Sequence, residues 1–258
     1  MLNEIVNALK ERRDLAGWTL RHLITRGAQV YAVPHQIESQ RAIEVERYRI
    51  DVLRQTSGSD GTPRIGSGDA TLLPGGDVGA AIEKAALVAG LVANPVHTIP
   101  ELAPLPDVAL IDADLQRDAS TATKEMMERI RAAASRNHSV QLTAAECFGE
   151  IHTTHLVNSR GIDAEQEATQ INIELVLHSQ RGENEVETFT ELNRRRVADL
   201  DLEEEIERQG RYTLDLFEAG LPPSWQGPVL LRGEVLGVFM AGGALGRRSP
   251  ANARVSLL

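Results

Sequence analysis

Cysteine, aromatic residues and long apolar runs are all scarce in this sequence, and each shortage excludes a class of protein. The single cysteine, Cys147, excludes an internal disulfide framework and a zinc cage built from thiolates. Aromatic residues make up 3% of the chain, too few to predict a platform for stacking single-stranded bases. No apolar run reaches the roughly 18 residues that a membrane-spanning helix needs.

Positive charge is also in deficit. The 258 residues contain 27 Lys and Arg against 37 Asp and Glu, a formal charge of -10. Such a field repels a phosphate backbone, so nucleic acid is not an expected partner. The remaining composition, 42% apolar and 25% charged, is typical of a globular chain that buries a sizeable core.

The N-terminal segment has the pattern of an amphipathic helix, not of a secretion signal. Leu2, Ile5, Val6 and Leu9 fall on one helical stripe, with charged residues on the opposite side. We therefore expect the protein to start at or near Met1 and to be located in the cytoplasm.

The stretch after this helix predicts a meander of antiparallel strands followed by a helix. Trp18 to Pro34 has the pattern of two strands, with a turn at Gly27. Ile43 to Leu73 reads as two antiparallel strands around a polar turn. The Ala-rich segment Asp77 to Val92 has apolar residues at helical spacing. Together these elements predict an N-terminal α/β subdomain over residues 1–93.

Four prolines between Asn94 and Asp107 predict an extended connector, because proline lacks a backbone donor and disfavours helix in the residue before it. We place a domain boundary there. Residues 108–220 repeat the plan of the first half and predict a second α/β subdomain, and residues 221–258 read as the truncated start of a β-rich C-terminal domain. The predicted fold class is α/β of the α+β type, with two antiparallel or mixed sheets covered by helices.

The candidates for catalytic or metal-binding residues lie in the strand predicted over Val140 to Val157. Four side chains of types that serve as acids, bases or metal ligands lie close together there in the sequence: Glu146, Glu150, His152 and His155. His152 and His155 are the candidates for metal ligands, but positions i and i+3 of a strand point to opposite faces. Cys147 reads as a small core residue because no nearby pattern supplies a base and an oxyanion hole. We therefore predict no catalytic residue and no resident metal.

Four glycines are spaced like parts of a phosphate-binding loop: Gly58, Gly61, Gly66 and Gly68. The chain has no G-x-x-x-x-G-K-[ST], and Gly66 does not open a strand-to-helix junction. Hairpin turns are the predicted role of all four.

Three segments, taken in chain order, resemble the TldD/PmbA family, whose PmbA branch is also called TldE. The strand-turn-strand from His155 to Leu175 resembles the N-S-x-G hairpin of that family. Before it, the Ala-rich helix, the Pro-rich connector and Pro106 to Asp112 follow the family's order of elements. After it, Gly227 to Leu231 resembles the strand that opens the family's C-terminal domain. The hairpin motif of the family falls on Asn158, Ser159 and Gly161.

The resemblance implies a modular protein related to a zinc peptidase and to proteins named modulators of DNA gyrase. TldD-type subunits carry zinc on an H-E-x-x-x-H helix with a later cysteine, and they pair with PmbA/TldE-type subunits that lack it. This sequence has no H-E-x-x-x-H. When Pro228 is aligned with the start of the family's strand, the ligand positions fall near Ala241, Gly242 and Gly246, which cannot bind zinc.

The implied function is therefore a non-catalytic subunit or N-terminal module of a TldD/PmbA-type zinc metallopeptidase complex that processes small peptides or unfolded substrates. The implied partner is a TldD-like catalytic subunit or a second copy of this chain, with a peptide as substrate. Zinc is expected only in the catalytic partner.

Two other functions stay open. The chain could be an active peptidase or another hydrolase, with a site around Glu146, Glu150, His152 and His155. It could instead be an adaptor that binds a peptide or a protein through an exposed strand at Val229 to Met240, since few residues follow that apolar segment to cover it.

Overall fold

One antiparallel sheet of six strands runs through the part of the chain that the computed structural model describes, residues 1–104, 108–221, 223–230 and 236. The strands are β1 (Gly17–Val33), β2 (Gln36–Ser57), β3 (Pro63–Leu72), β4 (Gln141–Asn158), β5 (Asp163–Arg181) and β6 (Asn184–Arg194). Their order across the sheet is β3-β2-β1-β4-β5-β6.

The α+β character is confirmed, but the prediction of two sheets is wrong. β1 and β4 pair antiparallel from Thr19 opposite Asn158 to Ala32 opposite Ala145, and this pairing joins the two halves of the chain into one sheet. Both strands have a strand neighbour on each side, so neither half ends in an edge at the middle of the sheet.

Four helices lie on one face of the sheet: α1 (Leu2–Glu11), α2 (Val78–Gly90), α3 (Ala113–Ala134) and α4 (Leu202–Asp215). Two short 3-10 helices, Val197–Asp199 and Leu216–Glu218, flank α4. Each half therefore has the order helix, three strands, helix, whereas the sequence pattern predicts four strands in the first half. None of the described helices has the length and apolar character needed to cross a membrane.

Two apolar clusters hold the helices to the sheet. In the first, Ile5 and Leu9 of α1 and Ile82 of α2 meet Leu20, Ile50 and other side chains of β1, β2 and β3. In the second, α3 and α4 cover β4, β5 and the end of β1. Its largest fully buried members include Met127, Ile130 and Ile173. The face opposite the helices, called the open face below, carries the alternate residues of each strand.

Trp18 to Pro34 forms one strand and not two, and Gly27 is not a turn. Gly27 lies inside β1, opposite Ile43 of β2 and Glu150 of β4. A Cβ atom there would come closer than 3.0 Å to the backbone of β4, so the glycine permits close approach of two strands.

Only two of the four glycines proposed as turn residues occupy the turn between β2 and β3. Gly58 and Gly61 form that turn, and Gly61 has a φ of 76°. Gly66 and Gly68 lie within β3, where a Cβ atom on either would come closer than 3.0 Å to backbone atoms of α2. For these two glycines the hairpin interpretation is wrong, and their role is to let a helix approach the sheet.

The described part of the connector, residues 94–104, follows the sheet closely at several points. Asn94 forms an isolated antiparallel bridge with Ile65 at the outer edge of β3. Further along, Ile99 lies against Gly17 at the start of β1. The domain boundary predicted at residues 94–107 stays a prediction.

The chain divides into two compact units, Met1–Glu218 and Ala219–Leu258. All elements above belong to the first. Most of the predicted strand Val229 to Met240 lies outside the described residues, as do Ala241, Gly242 and Gly246.

Candidate functional site

The open face brings three of the four sequence candidates together on β4. Glu146, Glu150 and His152 alternate on that face, and the register places them opposite Tyr31, Gly27 and Thr25 of β1. The fourth candidate, His155, lies on the helix side of the sheet. The four residues therefore do not form one site.

His152 sits between a hydroxyl and a carboxylate. Its Nδ1 lies 3.1 Å from Oγ1 of Thr25, within hydrogen-bond distance. Its Nε2 lies 3.1 Å from Oε2 of Glu150. The angles at that second contact do not make a hydrogen bond, so the buried Nε2 has no hydrogen-bond partner among the described residues. A hydroxyl, an imidazole and a carboxylate in contact are the components of a nucleophile, its base and an orienting acid.

A hydrolase site also needs a cleft for its substrate and a donor that stabilises an oxyanion. Five clefts of the described residues are lined by other residues, and none of these five includes Thr25, Glu150 or His152. The cross-strand neighbours of His152 and Thr25, Ala168 of β5 and Val45 of β2, have no polar side-chain group that could stabilise an oxyanion. Glu150 lies opposite Gln170 of β5, whose side-chain amide is a donor of the required type.

His155 belongs to a separate polar group on the helix side. Its Nε2 lies 2.6 Å from Oδ1 of Asp163, and the register places it opposite His22 of β1. The His22 ring stacks on Tyr48 with centroids 4.4 Å apart. His22 Nε2 lies 2.9 Å from Oε1 of Glu46.

Tyr48 and Glu46 titrate away from their ordinary values because of these contacts. The Tyr48 hydroxyl donates to Oε1 of Glu46 at 2.6 Å. Burial, with the Glu46 hydrogen bond, raises the pKa of Tyr48 to about 12. The hydrogen bonds from Tyr48 and His22 lower the pKa of Glu46. Tyr48 is also a member of the first apolar cluster, so these hydrogen bonds satisfy polar atoms beside that cluster.

The described residues contain no group of three or more His, Cys, Asp or Glu side chains placed to hold a metal ion. Cys147 is fully buried in the second apolar cluster. Burial raises the pKa of its thiol to about 12, so the thiolate that nucleophilic chemistry needs is disfavoured.

The turn that carries the family motif is a junction of three segments. Oδ1 of Asn158 accepts hydrogen bonds from the backbone N–H groups of Arg160 and Ile162, at 2.9 and 3.0 Å. Nδ2 of Asn158 donates to the backbone carbonyl of Pro100 in the connector at 2.9 Å. Gly161 closes the turn with a φ of 90°, which favours glycine.

Ser159 fastens the same turn to β1. Its backbone N–H donates to the carbonyl of Trp18 at 3.0 Å, and its Oγ accepts from the N–H of Trp18 at 3.1 Å. Arg160 forms an ion pair with Glu101 of the connector. The contacts around Asn158, Ser159 and Gly161 hold the β4–β5 hairpin to β1 and to the connector.

Sequence reasoning missed a buried carboxylate, Asp112. Its Oδ1 caps α3 by accepting from the N–H groups of Asp114 and Leu115, and its Oδ2 accepts from the N–H of Val197 at 2.7 Å. An aspartate just before a helix is a capping signal that the sequence does carry. No local sequence pattern predicts the contact with Val197, which lies 85 positions away in the chain.

A second missed feature is a row of three carboxylates on the open face. Glu146, Glu174 and Glu191 lie directly opposite one another on β4, β5 and β6. Desolvation raises the pKa of Glu174, and the charges of Glu146 and Glu191 raise it further. The row comes from three separate strands, so no sequence spacing reveals it.

Comparison of the sequence with protein-family models and with curated proteins finds no match. Comparison of the structure with solved structures does. TldE from Thermococcus kodakarensis matches 83% of this chain with a TM-score of 0.62 at 19% identity. A protein described as a candidate modulator of DNA gyrase from Thermotoga maritima matches 87% of the chain, with a TM-score of 0.63 at 14% identity.

A third structure, a candidate modulator of DNA gyrase from Bacteroides thetaiotaomicron, matches 83% of the chain with a TM-score of 0.61 at 14% identity. The matched regions cover 47%, 50% and 48% of those three chains, so this chain spans about half of the structures it matches. The family resemblance expected from the hairpin and the order of elements is thus confirmed in the fold, which this chain shares with TldE and with two candidate gyrase modulators.

Proposed function

We propose that this chain is a non-catalytic subunit or N-terminal module of a TldD/PmbA-type zinc metallopeptidase complex that acts on small peptides or unfolded substrates. The observation that carries the proposal is the fold shared with TldE over 83% of the chain. The lack of an H-E-x-x-x-H motif in the sequence favours the role of a partner to a zinc-bearing subunit. The proposed location is the cytoplasm.

The geometry is compatible with a supporting role in such a complex. A peptidase that must reject folded proteins needs an enclosed site, and a second subunit can supply its walls. β6 ends the sheet, so its outer backbone groups have no strand partner among the described residues. An extended peptide could add to such an edge by backbone hydrogen bonds.

The decisive experiment is reconstitution with a TldD-type subunit that carries the zinc motif. The chain alone should show no peptidase activity and no stoichiometric zinc after dialysis. Mixing should produce a complex on size-exclusion chromatography, and peptide cleavage should appear or rise at least tenfold. A partner whose motif glutamate is changed to glutamine serves as the control and should give the complex without cleavage.

Two results would overturn the proposal. One is failure to form any complex with the zinc-bearing subunit at micromolar concentrations. The other is peptidase activity of this chain alone that is lost in His152→Gln.

A second candidate function rests on the contact of Thr25, His152 and Glu150, which favours a hydrolase independent of zinc. Hydrolysis of activated esters by the chain alone should then fall strongly in both Thr25→Val and His152→Gln. His97→Gln is the matched control, because His97 is exposed and its side-chain hydrogen bond is to the carbonyl of Pro95. Equal rates in all three variants would eliminate this candidate.

The adaptor hypothesis concerns Val229 to Met240, which lies largely outside the described residues. Copurification tests it together with the first proposal: a partner without a zinc motif, lost when Val238 and Phe239 are changed to serine, would favour the adaptor.

A further inference from the structure

A broad cleft of about 880 Å³ opens at the end of the sheet that carries the β1–β2 turn. It lies among the C-terminal end of α3, the loop leading into β4 and the end of β5. Its volume is within the usual range for small-molecule sites. The cleft is remote from the Asn158 turn, which is at the opposite end of β4.

The side chains around this cleft have an unusual charge for this chain. Five basic or potentially basic residues line it: His35, Arg131, His138, His178 and Arg181. No aspartate or glutamate is among the described residues that line it. These side chains concentrate guanidinium and imidazole N–H groups in the cleft, and the three carboxylates that contact them, Glu128, Glu185 and Glu218, lie outside its lining.

The two arginines keep donors available to a ligand. Arg131 contacts Glu128 through Nη1 at 3.1 Å, but its buried Nε has no hydrogen-bond partner among the described residues. Arg181 contacts the exposed Glu218 through Nη1 at 3.1 Å and lies 4.5 Å from the centroid of the Phe217 ring. A guanidinium with an unsatisfied N–H is well suited to an oxyanion, which can accept two parallel hydrogen bonds.

The three histidines of the cleft and the end of α3 also affect how an anion would bind there. His35 and His138 are exposed and make no side-chain hydrogen bond with described residues, whereas His178 lies 3.5 Å from Glu185. The C-terminal end of α3 opposes an anion, since a helix carries roughly half a negative charge there. Glu128 and Glu218 also offset part of the charge of Arg131 and Arg181, so an anion in the cleft would compete with these two carboxylates for the guanidinium donors.

We propose that this cleft binds the oxyanion group of a small ligand, a phosphate or a carboxylate. The proposal is independent of the role in a peptidase complex, because it concerns the isolated chain and needs no zinc-bearing partner.

The test is an NMR titration of the intact chain at fixed pH and ionic strength, with inorganic phosphate in one arm and citrate in the other. Three of the seven histidines line the cleft, and His22, His97, His152 and His155 serve as internal controls. The ring signals of His35, His138 and His178 should shift saturably while the other four stay in place. The arm with the tighter binding identifies the ligand as a phosphate or a carboxylate.

Variants of Arg131 and Arg181 test whether these arginines bind the oxyanion. Arg131→Gln and Arg181→Gln should each weaken binding by about tenfold, the effect of losing one charge-assisted hydrogen bond. Arg211→Gln is the matched control, because Arg211 lies on α4 outside the cleft and pairs with Glu207. If Arg131→Gln fails to fold by circular dichroism, the more exposed Arg181→Gln decides alone.

Three results would overturn the proposal. The first is linear shifts of all seven histidines without saturation. The second is no shift at all, and the third is binding to Arg181→Gln that equals binding to Arg211→Gln.

Discussion

The two halves of the sheet follow one plan but are packed in different ways. In the N-terminal half, α2 approaches β3 so closely that Gly66 and Gly68 have no space for a Cβ atom. In the C-terminal half, α3 is held to the sheet by large side chains, among them Met126, Met127 and Ile130. The comparison shows that the same order of elements can be stabilised by backbone contact or by side-chain interdigitation. The contact of α2 with β3 should therefore be sensitive to added atoms, and the packing of α3 around Met127 should be sensitive to removed ones.

The largest expected effect is in the C-terminal half. Met127 is fully buried, so Met127→Ala should lower the free energy of unfolding by about 2–5 kcal/mol through lost burial and a cavity. Urea unfolding measures the change. Met127→Leu keeps most of the volume and should cost less than about 1.5 kcal/mol. Equal losses in the two variants would show that side-chain volume is not what holds α3.

A single methyl group added at Gly68 should lower the stability of the N-terminal half. Gly68→Ala should destabilise by about 1–3 kcal/mol, because its Cβ atom would meet backbone atoms of α2 that cannot move alone. Ser67→Ala, on the exposed side of the same strand, should change stability by less than about 0.5 kcal/mol. A Gly68→Ala protein as stable as wild type in urea would contradict close backbone packing.

The helix caps give a third contrast between the halves. Asp77 caps α2 at an exposed site through one bond, to the N–H of Ala80, and asparagine is an equally good cap there. Asp112 accepts three backbone N–H groups at a buried site, so Asp112→Asn would turn an amide N–H₂ toward one of those donors. We expect a loss of about 1–2 kcal/mol for Asp112→Asn and almost none for Asp77→Asn in thermal or urea unfolding. Equal losses would refute the linking role of Asp112.

The smallest effect expected is a gain in stability on the open face. In the N-terminal half, the like charges that lie directly opposite one another, Arg21 with Arg49 and Asp51 with Asp69, are offset by diagonal ion pairs such as Arg21 with Asp51 at 2.6 Å. The C-terminal half places Glu174 between two glutamates. Repulsion between like charges directly opposite one another should make Glu174→Gln more stable by about 0.2–1 kcal/mol at neutral pH.

The pH dependence of that gain has a definite sign. The folded state raises the pKa of Glu174, so it favours the protonated form, and the penalty on the charged form is lost as pH falls. The advantage of Glu174→Gln should therefore shrink as pH falls through the raised pKa of Glu174 toward the ordinary value of 4.5, and it should be absent below that value. Urea unfolding at neutral and acidic pH measures it, with exposed Glu183→Gln as control. A gain that persists unchanged in acid would exclude charge repulsion as its cause.

The candidate site illustrates what a strand pattern can and cannot predict. Alternation along β4 predicts that His152 and His155 point to opposite faces, and they do. It cannot predict that the hydroxyl of Thr25, 127 positions away, lies within hydrogen-bond distance of His152. Nor can it predict that His22 lies opposite His155. Those neighbours come from the register of β1 with β4, which no single segment contains.

The sequence by itself determined several local elements: the apolar stripe of α1, the Ala-rich helix α2, and the sheet strands that lie between helices in each half, though not their number in the first half. These depend on periodicity and capping over a few residues, which the chain carries in each segment.

Only the tertiary structure decided that the strands form one sheet, that Gly27, Gly66 and Gly68 serve close packing, and that five basic side chains meet in one cleft. Each of these depends on pairing between segments far apart in the chain, such as β1 with β4. The free energy of such pairing comes from surfaces that exist only once both partners are in place.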